Sequence, residues 1–119
     1  MVAKWFEKSD KDKEVAYLLL DKGYYPEACF HAVMAVELRL KGILVQTTGG
    51  IIYTHSIKRL LEEVAKIKNF QLNDKILDCA NYLSLMYLGS RYPEEEIIDL
   101  DRSEGEKCVR CMETILSIF

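Results

Sequence analysis

Hydrophobic positions along this chain recur every three or four residues, so the pattern predicts helices throughout and no convincing strand. The first helix spans about Ala3 to Asp21, with Trp5, Ala16, Leu19 and Leu20 on its buried side and Ser9, Asp10, Lys11, Asp12, Lys13 and Glu14 as a solvated middle. Lys22-Gly23 ends it, with glycine where left-handed geometry is favoured. The second covers Tyr24 to Gln46. Pro26 suits its first turn, Glu27 suits the positive end of its dipole, and Thr47-Thr48-Gly49-Gly50 stops it. A connector, Ile51-Ile52-Tyr53, leads to a third helix from about Ser56 to Lys66, capped by Thr54 or Ser56, with Ile57, Leu60, Leu61 and Val64 spaced for burial. Asn73 caps the fourth, whose stripe is Ile76, Leu77, Ala80, Leu83, Met86 and Tyr87. Gly89-Ser90 weakens its end, and Pro93 limits what precedes it. The stretch from Glu94 to Asp101 reads as acidic and irregular. Ser103 with Glu106 forms a capping box for a last helix from about Glu104 to Ser117. Short connections favour antiparallel neighbours, so the expected architecture is an all-α up-down bundle, a single domain over residues 1–119.

The second helix breaks the pattern. At about 100° per residue, Phe30, Val33, Met34, Val36, Leu38, Leu40, Ile43, Leu44 and Val45 fan out around Glu37, while Ala28, Ala35, Arg39 and Gln46 fall opposite. Glu37 and Lys41 therefore point into apolar surroundings, where a charge is costly unless paired and hydrogen-bonded. Four residues apart, they can pair with each other. The plain reading is a neutralised core pair; the functional one is a polar pocket of the kind that helical bundles use for ligands.

Composition narrows the function classes. A net charge of −3 argues against coating nucleic acid by charge alone. No apolar run approaches the ~20 residues of a membrane span. The N-terminus mixes charge too early for a signal peptide, so a cytoplasmic protein is expected. The four cysteines are then expected as reduced, buried thiols. Cys108-Val-Arg-Cys111 has a spacing used for zinc or redox chemistry, but no second such motif accompanies it, and Cys108, Met112, Ile115 and Phe119 form a helical stripe. Two lone histidines, His31 and His55, without carboxylates at ligand spacing predict no metal, and no cofactor motif is present. Thr47-Thr48-Gly49-Gly50 lacks the lysine and preceding strand of a phosphate loop.

Trp5-x3-Ser9, Ala16, Gly23-Tyr24 and Tyr25-Pro26-Glu27-Ala28-Cys29-Phe30-His31-Ala32 precede Ala35-Val36-Glu37 and Leu40-Lys41. Thr54-His55-Ser56 with Leu60-Leu61 follow, and then Tyr87 with Ser90-Arg91-Tyr92-Pro93. In this order and spacing they resemble the HEPN family of small helical domains. The resemblance implies a four-helix up-down bundle with an additional C-terminal helix, a tendency to homodimerise, and action beside a small nucleotidyltransferase, often as a toxin–antitoxin pair. Several branches are metal-independent ribonucleases whose signature is an arginine followed four to six residues later by a histidine. This chain departs from that signature: no histidine follows His55, and Arg91 is followed by Tyr92, Pro93 and three glutamates.

The candidate ligand-binding residues are therefore Arg91, Tyr92, Glu37, Lys41 and His55, with no catalytic residue assigned. Arg91 can hold a phosphate, Tyr92 can stack on a base, and Glu37 and Lys41 can organise a cleft. Against this, Arg91 can simply pair with the acids after it and Tyr92-Pro93 can shape a turn. His55 can meet a ligand or serve as a local contact in the connector. His31 reads as a packing or interface residue. The expected function is a non-catalytic module that binds a purine nucleotide and acts with a separate nucleotidyltransferase. The alternatives are a degenerate ribonuclease toxin using Arg91 and His55, and a homodimeric scaffold in which Ala28, Ala32, Ala35 and Gly42 permit close helix approach.

Overall fold

The structure, a computed structural model, describes residues 2–89 and 100–119. Arg91 and Tyr92, the acidic run from Glu94 to Asp99 and Pro93 lie outside the described residues. Five helices follow one another: α1 Val2–Asp21, α2 Tyr25–Thr48, α3 Ile57–Lys68, α4 Asp74–Gly89 and α5 Arg102–Leu116. They form the expected up-down bundle with an additional C-terminal helix, and no strand occurs among the described residues.

The helix ends follow local chemistry. Gly23 (φ 82°) and Gly49 (φ 75°) take the left-handed conformation that lets the chain leave α1 and α2 sharply. Ser56 rather than Thr54 caps α3, accepting from the Arg59 amide at 3.2 Å. Asn73 caps α4 by accepting from the Ile76 amide at 2.9 Å. At α5 the capping box expected from Ser103 does not form; Asp101 is the cap and accepts from the Glu104 amide at 3.2 Å, so the helix starts earlier. A carboxylate at the cap also suits the positive end of the helix dipole.

Helix α2 is the axis of the bundle and touches all four other helices. This changes the reading of its face opposite Glu37. Ala28 and Ala35 are fully buried, because α1 lies against them. The approach is close: a Cβ added at Gly42 would stand 2.9 Å from both the Trp5 Cβ and the Phe6 ring. The Ser9 hydroxyl donates to the Ala35 carbonyl at 2.6 Å. The small-residue side of α2 is thus filled from within the chain and is not open to a second chain.

Two expectations fail in this region. Ser9 and Asp12 belong to the interior, not to a solvated stretch of α1. They sit on the spacing Trp5, Ser9, Asp12, Ala16 and Leu19, which continues one face of the helix through polar residues. The cysteines are not free thiols. Cys29 on α2 is bonded to Cys108, and Cys79 on α4 to Cys111, with Cα–Cα distances of 5.2 and 5.0 Å. The two cysteines of the C-x-x-C spacing face different helices, so they neither pair with each other nor share a metal. Together they fasten α5 to α2 and α4.

Candidate functional site

Glu37 is the buried charge around which the site is assembled. It is 2% exposed, and Lys41, one turn on, is 9% exposed. The Lys41 ammonium donates to Glu37 Oε2 at 2.9 Å, so the pair neutralises itself inside the bundle. A third group joins them from a different part of the chain. The Nδ1 of His55 lies 3.2 Å from each carboxylate oxygen of Glu37. A carboxylate oxygen accepts, so Nδ1 is the donor in this contact, and Nε2 is the ring nitrogen left for another partner. The imidazole stacks on Tyr87 of α4, with centroids 4.5 Å apart and planes inclined by 13°.

The connector before α3 is held so that His55 reaches this place. The Thr54 hydroxyl accepts from the Ser56 amide at 3.1 Å. The Ile57 amide, unpaired within its own helix, donates to Ser84 Oγ of α4 at 3.0 Å. The His55 side chain remains 57% exposed, so this arrangement puts an oriented imidazole at the surface and its carboxylate below. Such a pair can accept a proton at Nε2, or donate from it when the ring is charged, and the ring face can meet a planar ligand.

Three of the five candidate residues, Glu37, Lys41 and His55, are therefore brought together. Arg91 and Tyr92 lie outside the described residues; in sequence Arg91 follows Tyr87 by four. In sequence Tyr87 belongs both to a helical stripe and to the aromatic residues preceding Ser90-Arg91-Tyr92-Pro93; its stacking on His55 is decided by the tertiary structure.

A second buried carboxylate with histidine and lysine partners lies between α1 and α2. Asp12, 2% exposed, accepts from Lys8 at 3.2 Å and lies 2.9 Å from His31 Nδ1. His31 thus meets the buried Asp12 across the α1–α2 contact. Between the two clusters, Phe30, Met34, Leu38 and Val45 of α2 form a stripe that is only partly covered. No group of three or more histidine, cysteine, aspartate or glutamate side chains suited to a metal ion occurs among the described residues. Among the same residues, no helix is long and apolar enough to cross a membrane.

Comparison with known proteins adds a family and a few relatives. The family model for the HEPN domain matches residues 2–119. A protein of Methanocaldococcus jannaschii named "Putative toxin MJ1304" is 25% identical over 132 residues, covering 97% of this chain and 83% of its own. The crystal structure of TT1696 from Thermus thermophilus superposes with a TM-score of 0.84 at 26% identity, covering 98% of this chain and 93% of that one. The crystal structure of ST0689, described as an archaeal HEPN homologue, gives a TM-score of 0.76 at 29% identity, over 99% of this chain and 93% of that one.

Proposed function

This chain belongs to the HEPN family, and from that premise we propose that it is a nucleotide-binding regulatory module of a toxin–antitoxin-like pair, acting with a separate small nucleotidyltransferase. The observation that supports the reading is the His55–Tyr87 stack standing over the buried Glu37–Lys41 pair. A purine base has a flat face to offer the exposed imidazole. Lys41 uses one of its N–H groups on Glu37, and an ammonium has three. Arg91 would meet the phosphate and Tyr92 the base. Chemistry would reside in the partner, in keeping with the missing histidine after Arg91.

Titration calorimetry with ATP, ADP and AMP tests this. Binding is expected with at least one of them. Arg91→Ala is expected to weaken it more than His55→Ala, because a charge-assisted contact to phosphate outweighs a neutral one. No heat from any of the three at millimolar ligand would end the nucleotide reading.

The Glu37–His55 contact favours one second reading, a ribonuclease in which His55 replaces the absent motif histidine. A carboxylate-oriented imidazole is a competent general acid or base for attack by a 2′-hydroxyl. Cleavage of RNA by the purified protein, lost in both His55→Ala and Arg91→Ala, would establish it in place of the first reading.

A homodimer joined along the Phe30–Met34–Leu38–Val45 stripe fits either reading. Helix α2 is wrapped by its own chain, so its wide apolar arc is no argument for a dimer. What supports it is the partly covered stripe itself. Sedimentation at micromolar concentration should show twice 13.8 kDa, and a monomer alone would refute it.

A further inference from the structure

The far side of α2 carries a cavity that the site above does not use. Arg39 is two residues from Glu37, and so about 200° round the helix. There a cavity of about 470 Å³ opens between the N-terminal half of α1, the C-terminal half of α2, the end of α3 and the residues after α5. That volume is in the range of small-molecule sites. Three aromatic side chains, Phe6, Phe70 and Phe119, line it, with Gln46, Arg39 and Lys68 as its polar groups.

The charges are uneven. No aspartate or glutamate side chain lines the cavity among the described residues, although the chain as a whole carries 19 acids against 16 lysines and arginines. Arg39 is committed: its Nε and Nη2 donate to the Phe119 oxygen at 3.2 and 2.7 Å, and its guanidinium lies 4.6 Å from the Phe6 ring centroid. It serves as a fixed wall. Lys68 is exposed and makes no ion pair or hydrogen bond among the described residues. Phe70 meets Phe119 edge to face at 5.6 Å and is itself 37% exposed. The cavity thus joins aromatic walls, a rim amide and one uncommitted ammonium.

We propose that this cavity is a second ligand site, which takes a small aromatic anion with its ring against Phe70 and Phe119 and its anionic group on Lys68. Ring-on-ring contacts with Phe70 and Phe119 supply attraction without regard to charge. Lys68 then selects an anion over a neutral analogue. The site is independent of the nucleotide reading, since none of Glu37, Lys41, His55 or Tyr87 lines it.

The test is fluorine NMR of the full chain titrated with 4-(trifluoromethyl)benzoate, with proton spectra of the protein followed alongside. Saturable binding is expected, with the Phe70 and Phe119 ring protons shifting. The matching carboxamide and the Lys68→Ala protein should each bind roughly two- to fivefold more weakly, the size of one solvent-exposed charge pair. Phe70→Ala should weaken binding by at least as much. Both replaced side chains are exposed, and an unchanged melting curve checks that each variant is folded. The proposal is overturned if no saturable binding is seen at about 10 mM ligand, a level that would reveal millimolar affinity. It is equally overturned if the carboxamide binds as well as the acid, or if the shifts fall on His55 and Tyr87 in place of Phe70 and Phe119.

Discussion

Glu37 and Lys41 each remove the other's reason to be expelled from the bundle. Truncating Lys41 leaves Glu37 buried with only the exposed His55 to meet it, with about 3–5 kcal/mol lost. Lys41→Ala should therefore lower stability by that amount in urea denaturation, while replacing both residues by apolar ones should cost much less. An unchanged midpoint for Lys41→Ala would mean that the pair is not desolvated. A different residue sets a pH limit. Burial raises the Tyr82 hydroxyl well above its ordinary pKa of 10.0, and its hydrogen bond to the Glu104 carboxylate and the charge of that group raise it further. Tyr17, by burial and then by its 2.6 Å bond to Glu113, is pushed up to about 12. Both hydroxyls stay protonated longer in the folded chain than in the unfolded one. Their contribution is whole below pH 10 and disappears as pH rises through the folded values, near 12 for Tyr17 and higher for Tyr82. Tyr82→Phe should cost about 1 kcal/mol at pH 8. The gap from the parent protein should narrow at pH 11, as urea midpoints at the two values would show.

At the scale of the element, α1 and α2 act as one unit because their contact is unusually close. Gly42 is the enabling residue. A methyl group there would meet the Trp5 Cβ and the Phe6 ring at 2.9 Å, and Trp5 Cβ is too near the backbone to swing away. Gly42→Ala should destabilise the fold by about 1–3 kcal/mol through overpacking, despite alanine's better helix propensity. A gain in thermal midpoint would show that α1 can shift away without loss. The Ser9 bond to the Ala35 carbonyl and the Lys8–Asp12–His31 cluster belong to the same interface. They give it a polar register, so α1 cannot slide along α2 without stranding Asp12.

The whole molecule is closed by its last helix. Cys108 and Cys111 tie α5 to partners 79 and 32 residues earlier in the chain. Cross-links that close loops of this size restrict the unfolded chain and add roughly 2–4 kcal/mol, less than additively when the loops overlap. Reducing the protein, or making Cys29→Ser with Cys108→Ser, should lower the melting temperature by about 10 °C. An identical melting curve with and without reductant would show that the four sulfurs are not bonded in solution. In the reduced chain α5 would still be held by Met112 and Ile115, both fully buried.

Whatever depends on near neighbours was legible in the chain alone. Helix positions follow from three- and four-residue periodicity, the stops at Gly23 and Gly49 from the left-handed conformation, and the Glu37–Lys41 pair from one turn of helix. Asp101 rather than Ser103 caps α5, yet the helix itself stands where periodicity puts it, because cap and helix are separate local choices. Tertiary packing settled whatever joins distant positions. Polar Ser9 and Asp12 look solvated until α2 covers them. Four cysteines admit several pairings, and only the packing of α5 selects two. His55 lies 18 residues from Glu37 and stands over it because Ser84, on yet another helix, receives the first amide of α3. Local preference cannot encode that meeting; it arises when three helices come to share one core.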